Sequence, residues 1–301
     1  MKAAAKNKIK RTRQDIIFDV VCTTILSLLC LLVLYPLYFI VIASFSSPDM
    51  INRGEVFLLP KGITWDGYEK IFSYTQLWIG YRNTIVYTLL GTALNVVLTM
   101  LTAFPMSRPK FYGRKIFLFY MMFTMYFSGG LIPAYLVNQR LGLVNNWLIM
   151  VIRGAVSVSN VIICISFMKS SIPNGLFEAA YIDGISHFGA FCKIALPLSK
   201  SIIAVMCLYY GVGHWNDYWN ALIYLNDQEL YPLQLILRGI LTLDQIDTGL
   251  LTDYEDIVRL QNQKELIKYG SIIVSSVPML VIYPFLQKYF VKGVMIGSLK
   301  G

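Results

Sequence analysis

The sequence predicts an all-α polytopic membrane protein, and three observations carry that reading. Of 301 residues, 56% are hydrophobic, and the mean hydropathy is +0.58. Only 14% are charged, against roughly 25% in soluble domains. Six apolar runs, at 16–45, 78–106, 115–135, 147–167, 201–224 and 269–290, each reach the roughly 20 residues that a helix needs to cross the hydrocarbon core.

The first run follows a basic tail at 1–15 and is far longer than the ~7–15-residue core of a cleaved signal peptide, so it reads as a retained anchor. A substantial loop follows at 46–77, punctuated by Ser47-Pro48 and Pro60-Lys61-Gly62. The third run holds Gly129-Gly130, read as packing or hinge glycines. The fourth carries Arg153, the one clear buried cation. The fifth contains His214, Asn216, Asp217 and Asn220 interleaved with Trp215, Tyr218 and Trp219. Polar groups at membrane depth are costly and face the protein interior or a cavity. Their mixture with aromatic rings suits a sugar, whose C–H face stacks and whose hydroxyls hydrogen-bond. The bland alternative is helix–helix glue with an interfacial aromatic belt. Counted inward from the outer ends of their spans, Arg153 and Asp217 lie at matching depth, roughly 9–11 Å at ~1.5 Å per residue. They are expected to form an ion pair or to share a polar partner such as Asn220. A last loop, 226–268, contains the apolar stretch 231–237, too short to span and expected at the interface or folded over the bundle.

Lys and Arg set the orientation. Lys2, Lys6, Lys8, Lys10, Arg11, Arg13, Arg108, Lys110, Arg114, Lys115, Lys169, Lys193, Lys200, Lys288, Lys292 and Lys300 fall on one side. The sparser set of Arg53, Lys61, Lys70, Arg140, Arg238, Arg259, Lys264 and Lys268 falls on the other. The richer side is cytoplasmic by the positive-inside rule, which puts both termini inside. The net charge of +9 thus comes from membrane loops and not from a nucleic-acid surface. Of five cysteines, Cys22, Cys30, Cys164 and Cys207 lie in apolar runs and Cys192 in an inner loop, so no disulfide framework or metal spacing arises. The two histidines, His187 and His214, form no metal motif, so no metal site is expected. No GxxxxGK[ST] loop and no catalytic cluster is present in the sequence, which argues against a membrane enzyme.

The most informative segment is polar and lies between the fourth and fifth runs, within 170–200. It reads Glu178-Ala179-Ala180-Tyr181-Ile182-Asp183-Gly184, then Ile194-Ala195-Leu196-Pro197. Small residues beside a Glu make a helix that another protein can approach closely. Asp183-Gly184 forces a turn, and Pro197 punctuates a second short helix. This pattern resembles the "EAA" loop of ATP-binding-cassette importer permeases, of the maltose-type second-permease branch and, within it, the Gram-positive permeases for complex saccharides. Phe127-Ser128-Gly129-Gly130-Leu131-Ile132-Pro133, Leu141-Gly142-Leu143 and Trp215-Asn216-Asp217-Tyr218-Trp219-Asn220 look like that subgroup, and the similarity covers nearly the whole chain. Two departures are Ile185, where the family usually has Ala, and Lys200, where Pro is common.

The resemblance implies a type I importer transmembrane domain of MetI-like fold, spanning 78–290, in a bacterial cell membrane. Glu178, Ala179, Ala180, Asp183, Gly184 and Pro197 would dock a cytoplasmic ATPase: Glu178 would pair with a basic residue, Ala179 and Ala180 would enter its cleft, and Gly184 would allow the turn. Ile182, Phe188 and Ile194 are expected to anchor the loop to its own bundle. The tail at 291–301, with three spaced glycines, resembles one that enters the ATPase dimer interface. No cofactor is expected in this chain; ATP and Mg belong on two copies of the ATPase. Further implied partners are a second, different permease and an extracellular sugar-binding lipoprotein. His214, Trp215, Asn216, Asp217 and Asn220 are the candidate substrate-pathway residues. The competing class is a secondary transporter working without an ATPase, which would show internal repeats.

Overall fold

A computed structural model describes residues 12–242, 265, 267–281 and 284. The basic tail before residue 12, the acidic part of the last loop at 243–264, and the glycine-spaced tail at 291–301 lie outside the described residues.

The chain divides into two compact units. The first comprises residues 1–69 and 248–273. Its main element is helix α1 (Arg13–Ser44), opened by a capping box in which Thr12 and Asp15 satisfy each other's backbone N–H. Apolar residues surround α1 on every side, and nearly all are exposed. A helix hydrophobic all round belongs in lipid or against a partner. The loop that follows is folded back: short helix α2 (Pro48–Asn52) is followed by a return in which Ser47 N–H donates to Lys61 O (3.0 Å) and Thr64 N–H to Phe45 O (3.0 Å). Phe45 stacks on Tyr68 and meets Trp65 edge-on, and the Tyr68 hydroxyl donates to Ser44 Oγ at 2.9 Å.

The second unit comprises residues 70–247 and 274–301. It is built on α4 (Thr75–Ser107), which follows the short α3 (Asp66–Ser73) in the chain. After α4 come α5 (Arg114–Tyr126), α6 (Leu131–Arg140), α7 (Ile149–Ile152) and α8 (Val158–Ser171). The inner segment follows, with α9 (Asn174–Ile182), α10 (His187–Ala190), a π-helical turn (Phe191–Ala195) and α11 (Leu196–Leu198). Helices α12 (Lys200–Trp215), α13 (Trp219–Tyr224) and α14 (Leu233–Thr242) complete the unit's main body. A further apolar helix, α15, covers Ile267–Val281.

α4 packs mainly against α12 and α8, and around one end of it Met100, Phe104, Val161, Met168, Phe177, Phe191 and Met206 form one core. Around the other end Tyr87, Ile149, Met150, Ala221, Tyr224 and Leu235 form a second.

Among the described residues, α1 and α4 alone are long and apolar enough to cross a membrane unbroken. The runs expected to be continuous are interrupted. The 115–135 run bends by 112° between α5 and α6, where Gly130 takes φ +86°. The 147–167 run breaks between α7 and α8, where Gly154 takes φ +72°. The N–H of Ser157, freed by this break, finds the Tyr210 hydroxyl at 3.2 Å, as backbone away from water must. The 201–224 run unwinds at 216–218, between α12 and α13. Apolar composition conceals such breaks because glycine and polar residues inside the runs set them.

The apolar stretch 231–237 does not lie apart from the bundle. Thr84 Oγ1 accepts the Leu233 N–H at 2.8 Å, Asn83 donates to Glu229 O and Tyr231 O, and the Tyr87 hydroxyl donates to Leu230 O. Leu233, Leu235, Ile236 and Leu237 are buried.

Candidate functional site

The polar segment between α8 and α12 folds as a helix, a turn and a second helix. α9 ends in a glycine-terminated cap: Gly184 takes φ +78°, its N–H reaches Tyr181 O (3.2 Å), and the Ile185 N–H reaches Ala180 O (2.9 Å). This 6→1 and 5→2 pair satisfies carbonyls that a helix end leaves open. Ser186 then caps α10 by accepting the Gly189 N–H at 3.1 Å. The π-helical turn ahead of Pro197 widens the backbone where a proline ring would crowd the preceding turn. The chain then bends by 81° into α12.

Two faces result. Phe177, Ala180, Ala190, Phe191 and Ala195 are buried in the α4–α8 core, with Ile185 and Ile194 packed against it. Glu178, Ala179, Asp183, Gly184 and Pro197 are exposed. Three expectations need correcting. Ala180, three residues from Phe177, is only 5% exposed, so it offers a partner far less surface than Ala179 does. Ile182 and Phe188 do not anchor the loop; they are 86% and 67% exposed. Ile194 does pack against the core as expected, and Phe177, Ala190, Phe191 and Ala195 anchor the segment with it.

Beneath α9 lies an apolar cavity of 440 Å³ lined by Phe104, Arg108, Phe111, Phe177, Tyr181 and His187. Arg108 ends α4 and is the residue that sequence reasoning missed, because it was counted only as an inner-side charge. Its side chain is buried. Nε donates to Ser107 Oγ (3.0 Å) and Nη1 to Asn174 Oδ1 (3.3 Å), and the guanidinium lies 4.1 Å from the Phe177 ring centre and 5.7 Å from that of Phe104. It therefore ties the end of α4 to the first turn of α9. Burial pulls its pKa below the ordinary value, yet a guanidinium stays charged at neutral pH. Glu178 meets Lys110 at 3.8 Å, with both side chains well exposed. Such a pair is worth about 0–1 kcal/mol, so Glu178 remains available to a stronger partner.

The polar residues around the α12–α13 break separate in the structure. Asn220 joins Arg153 to Asp217: Arg153 Nη1 donates to Asn220 Oδ1, while Asn220 Nδ2 donates to Asp217 Oδ2 (2.7 Å) and its N–H to Asp217 Oδ1 (3.1 Å). Arg153 and Asp217 share this amide instead of pairing directly, and the Arg153 guanidinium also lies 5.1 Å from the Tyr224 ring centre. Asn216 is exposed, bonded to Val212 O and Gln234. Two pathway candidates turn inward. Trp215 is 5% exposed and meets Tyr81 edge-on. His214 lies against Gly91, its Nε2 enclosed. Trp215 is thus buried, while His214 is half-buried with its Nε2 turned inward. Tyr218, at the end of the break, and Trp219, which opens α13, are exposed.

Comparison with known proteins agrees with this architecture. Residues 86–294 match the family described as binding-protein-dependent transport system inner membrane component. Protein LplC of Bacillus subtilis (strain 168) is 36% identical over 290 residues, covering 96% of this chain and 97% of that protein. The polygalacturonan/rhamnogalacturonan transport system permease protein YtcP of the same organism is 35% identical over 286 residues, covering 95% and 99%. Among solved structures, the chain resembles one from the crystal structure of a bacterial ABC transporter involved in the import of the acidic polysaccharide alginate. The TM-score is 0.84 at 31% identity, over 94% of this chain and 100% of that one. An apolar helical chain that matches this family across most of its length, with a polar helix–turn–helix between two apolar regions, belongs to the binding-protein-dependent transport system inner membrane components, as an integral permease subunit of an ATP-binding-cassette importer in the bacterial cell membrane.

Proposed function

We propose that this permease forms, with a second and different permease, the membrane pathway for an acidic oligosaccharide delivered by an extracellular binding lipoprotein. Two copies of a cytoplasmic ATPase, carrying ATP and Mg, dock on the 170–200 segment. The observation that carries this reading is the two-faced docking segment: one face is locked into the α4–α8 core, while Glu178, Ala179, Ile182 and Phe188 point away from it. In this reading the bent and broken helices complete six spans with both termini inside, and closure of the ATPases rocks the permease halves through the segment.

The saccharide class is supported by the relatives' substrates, polygalacturonan/rhamnogalacturonan and alginate. Half-buried Arg153 lies 5.1 Å from the Tyr224 ring centre, and Arg238 lies 4.9 Å from that of the exposed Tyr218, so two cations stand beside aromatic faces. The test is ATP hydrolysis by the complete complex in proteoliposomes. A uronate oligomer presented with the binding lipoprotein should stimulate it, and a neutral oligomer of equal length should not. Glu178→Lys should abolish the stimulation with normal membrane abundance. Equal stimulation by both oligomers removes the acidic class, and full transport by Glu178→Lys removes the docking assignment.

A further inference from the structure

Hydrogen-bonding atoms enclosed at membrane depth must find partners inside the protein. On α4, Thr84, Thr88, Thr92, Asn95 and Thr99 recur every three or four residues and so share one face. The ends of this stripe are satisfied. Thr84 accepts the Leu233 N–H, and Thr99 Oγ1 pairs with the Tyr210 hydroxyl at 2.7 Å. The middle is not: Thr88 Oγ1, Thr92 Oγ1 and Asn95 Oδ1 are enclosed without a partner among the described residues, and Asn95 is only 3% exposed. Facing them, His214 Nε2 is enclosed and unpartnered too. A Cβ on Gly91 would collide with the His214 ring, and one on Gly211 would lie 3.7 Å from Thr92 Oγ1. Thr92 and His214 therefore sit at the contact of α4 with α12, and Thr88 and Asn95 share the Thr92 face of α4.

We propose that this contact is a binding site for internal water, held by Thr88, Thr92, Asn95 and His214. The chemistry of the four atoms selects the ligand. The enclosed His214 Nε2 is a ring nitrogen that donates or accepts according to the tautomer. Asn95 Oδ1 is an acceptor, while the two hydroxyls both donate and accept. The occupant must donate to some of these atoms and accept from others. The four groups are neutral and would leave a bare metal cation without a counter-charge, and Asp217, three residues beyond His214 in the chain, has both oxygens engaged by Asn220. The atoms are enclosed by this chain, so neither a transported solute nor a partner protein reaches them. Water meets every condition: buried waters make about three hydrogen bonds to otherwise unsatisfied polar groups. α12 continues from the docking segment, so water-mediated bonds beside Gly91 and Gly211 give it an exchangeable seat on α4.

The test is X-ray radiolytic labelling of the assembled transporter, in which hydroxyl radicals formed from bound water oxidise the side chains beside it. His214 is the reporter. Met206, fully buried in the apolar core of the same helix, is the dry control. His214 should be oxidised and Met206 spared, and the double substitution Thr92→Val with Asn95→Leu should reduce the His214 label to background. A density map of the native complex, independent of any variant, should show an ordered peak within hydrogen-bond distance of Asn95 Oδ1 and His214 Nε2. An unlabelled His214 or an empty map at that point means a dry contact and overturns the proposal. So does a peak that disappears when sodium and potassium are replaced by a bulky organic cation, since that identifies a metal ion.

Discussion

Gly184 and Gly91 are both indispensable on this structure, for opposite reasons. Gly184 takes φ +78° with nothing within 4 Å of where a Cβ would sit. Gly184→Ala should therefore cost only backbone strain, about 1–2 kcal/mol, leaving a folded permease with normal abundance and reduced transport. Gly91 has ordinary helical geometry, but a Cβ there would strike the His214 ring. Gly91→Ala should instead lower membrane abundance and thermal stability, as read by fluorescence-detected size-exclusion chromatography on heated samples. Asn220 makes a third residue-scale case. Its amide serves Arg153 with its oxygen and Asp217 with its nitrogen, so removing either charge leaves half of the amide unpaired. Arg153→Ala and Asp217→Ala should each destabilise, and the double variant should lose less than the sum, with a coupling of about 0.5–3 kcal/mol. Strict additivity in a thermal-stability cycle would show that Asn220 transmits nothing.

At the scale of elements, the 170–200 segment proposed to dock the ATPase is an amphipathic hairpin whose outer face is more apolar than sequence reasoning expected. Ile182 and Phe188 are large, exposed and next to Glu178 in the same hairpin. If a partner covers them, each contributes about 1.5–3 kcal/mol on burial. Ile182→Asp or Phe188→Asp should thus weaken ATPase co-purification tenfold or more with no loss of permease abundance, whereas Phe177→Asp should destroy the fold beneath. Arg108 belongs at this scale because it joins two elements. Lys at 108 keeps the charge but cannot bond Ser107 and Asn174 while lying on Phe177. Arg108→Lys should leave the complex assembled and hydrolysing ATP, with saccharide transport per ATP sharply reduced. The turn at Asp183-Gly184 was legible because glycine in that context has a conformational meaning. The phase of the hairpin was not legible: Ile182 and Phe177 are both apolar, and only the packing of α9 on Phe104 and Arg108 decides which one faces in. The helix breaks at Gly130, Gly154 and 216–218 were hidden for a related reason. Hydropathy averages over a run, while a break depends on one or two residues and on a distant group, such as Tyr210, that satisfies the freed backbone.

For the whole molecule, orientation in the membrane is the property on which every docking argument depends, and the chain carries its own reporter. Cys192 is exposed on the docking segment, while Cys164 is buried and Cys207 half-buried. Cys22 and Cys30 lie on α1, whose apolar surround sets them in hydrocarbon, away from the aqueous phase that carries the reagent. A single cysteine should therefore dominate the labelling of the native protein. On the orientation proposed from the Lys- and Arg-rich loops, a membrane-impermeant maleimide should leave intact cells unlabelled, a permeant one should label Cys192, and inverted vesicles should be labelled by both. Adding the ATPase to stripped vesicles should slow the reaction, because Cys192 lies close in sequence to Phe188, on the face that the docking reading covers. Cys192→Ser should remove the signal and identify its source. Labelling of intact cells by the impermeant reagent would put the hairpin outside and leave an ATPase nothing to dock on. Labelling from inside that the ATPase does not slow would keep the orientation and move the docking surface elsewhere on the inner face.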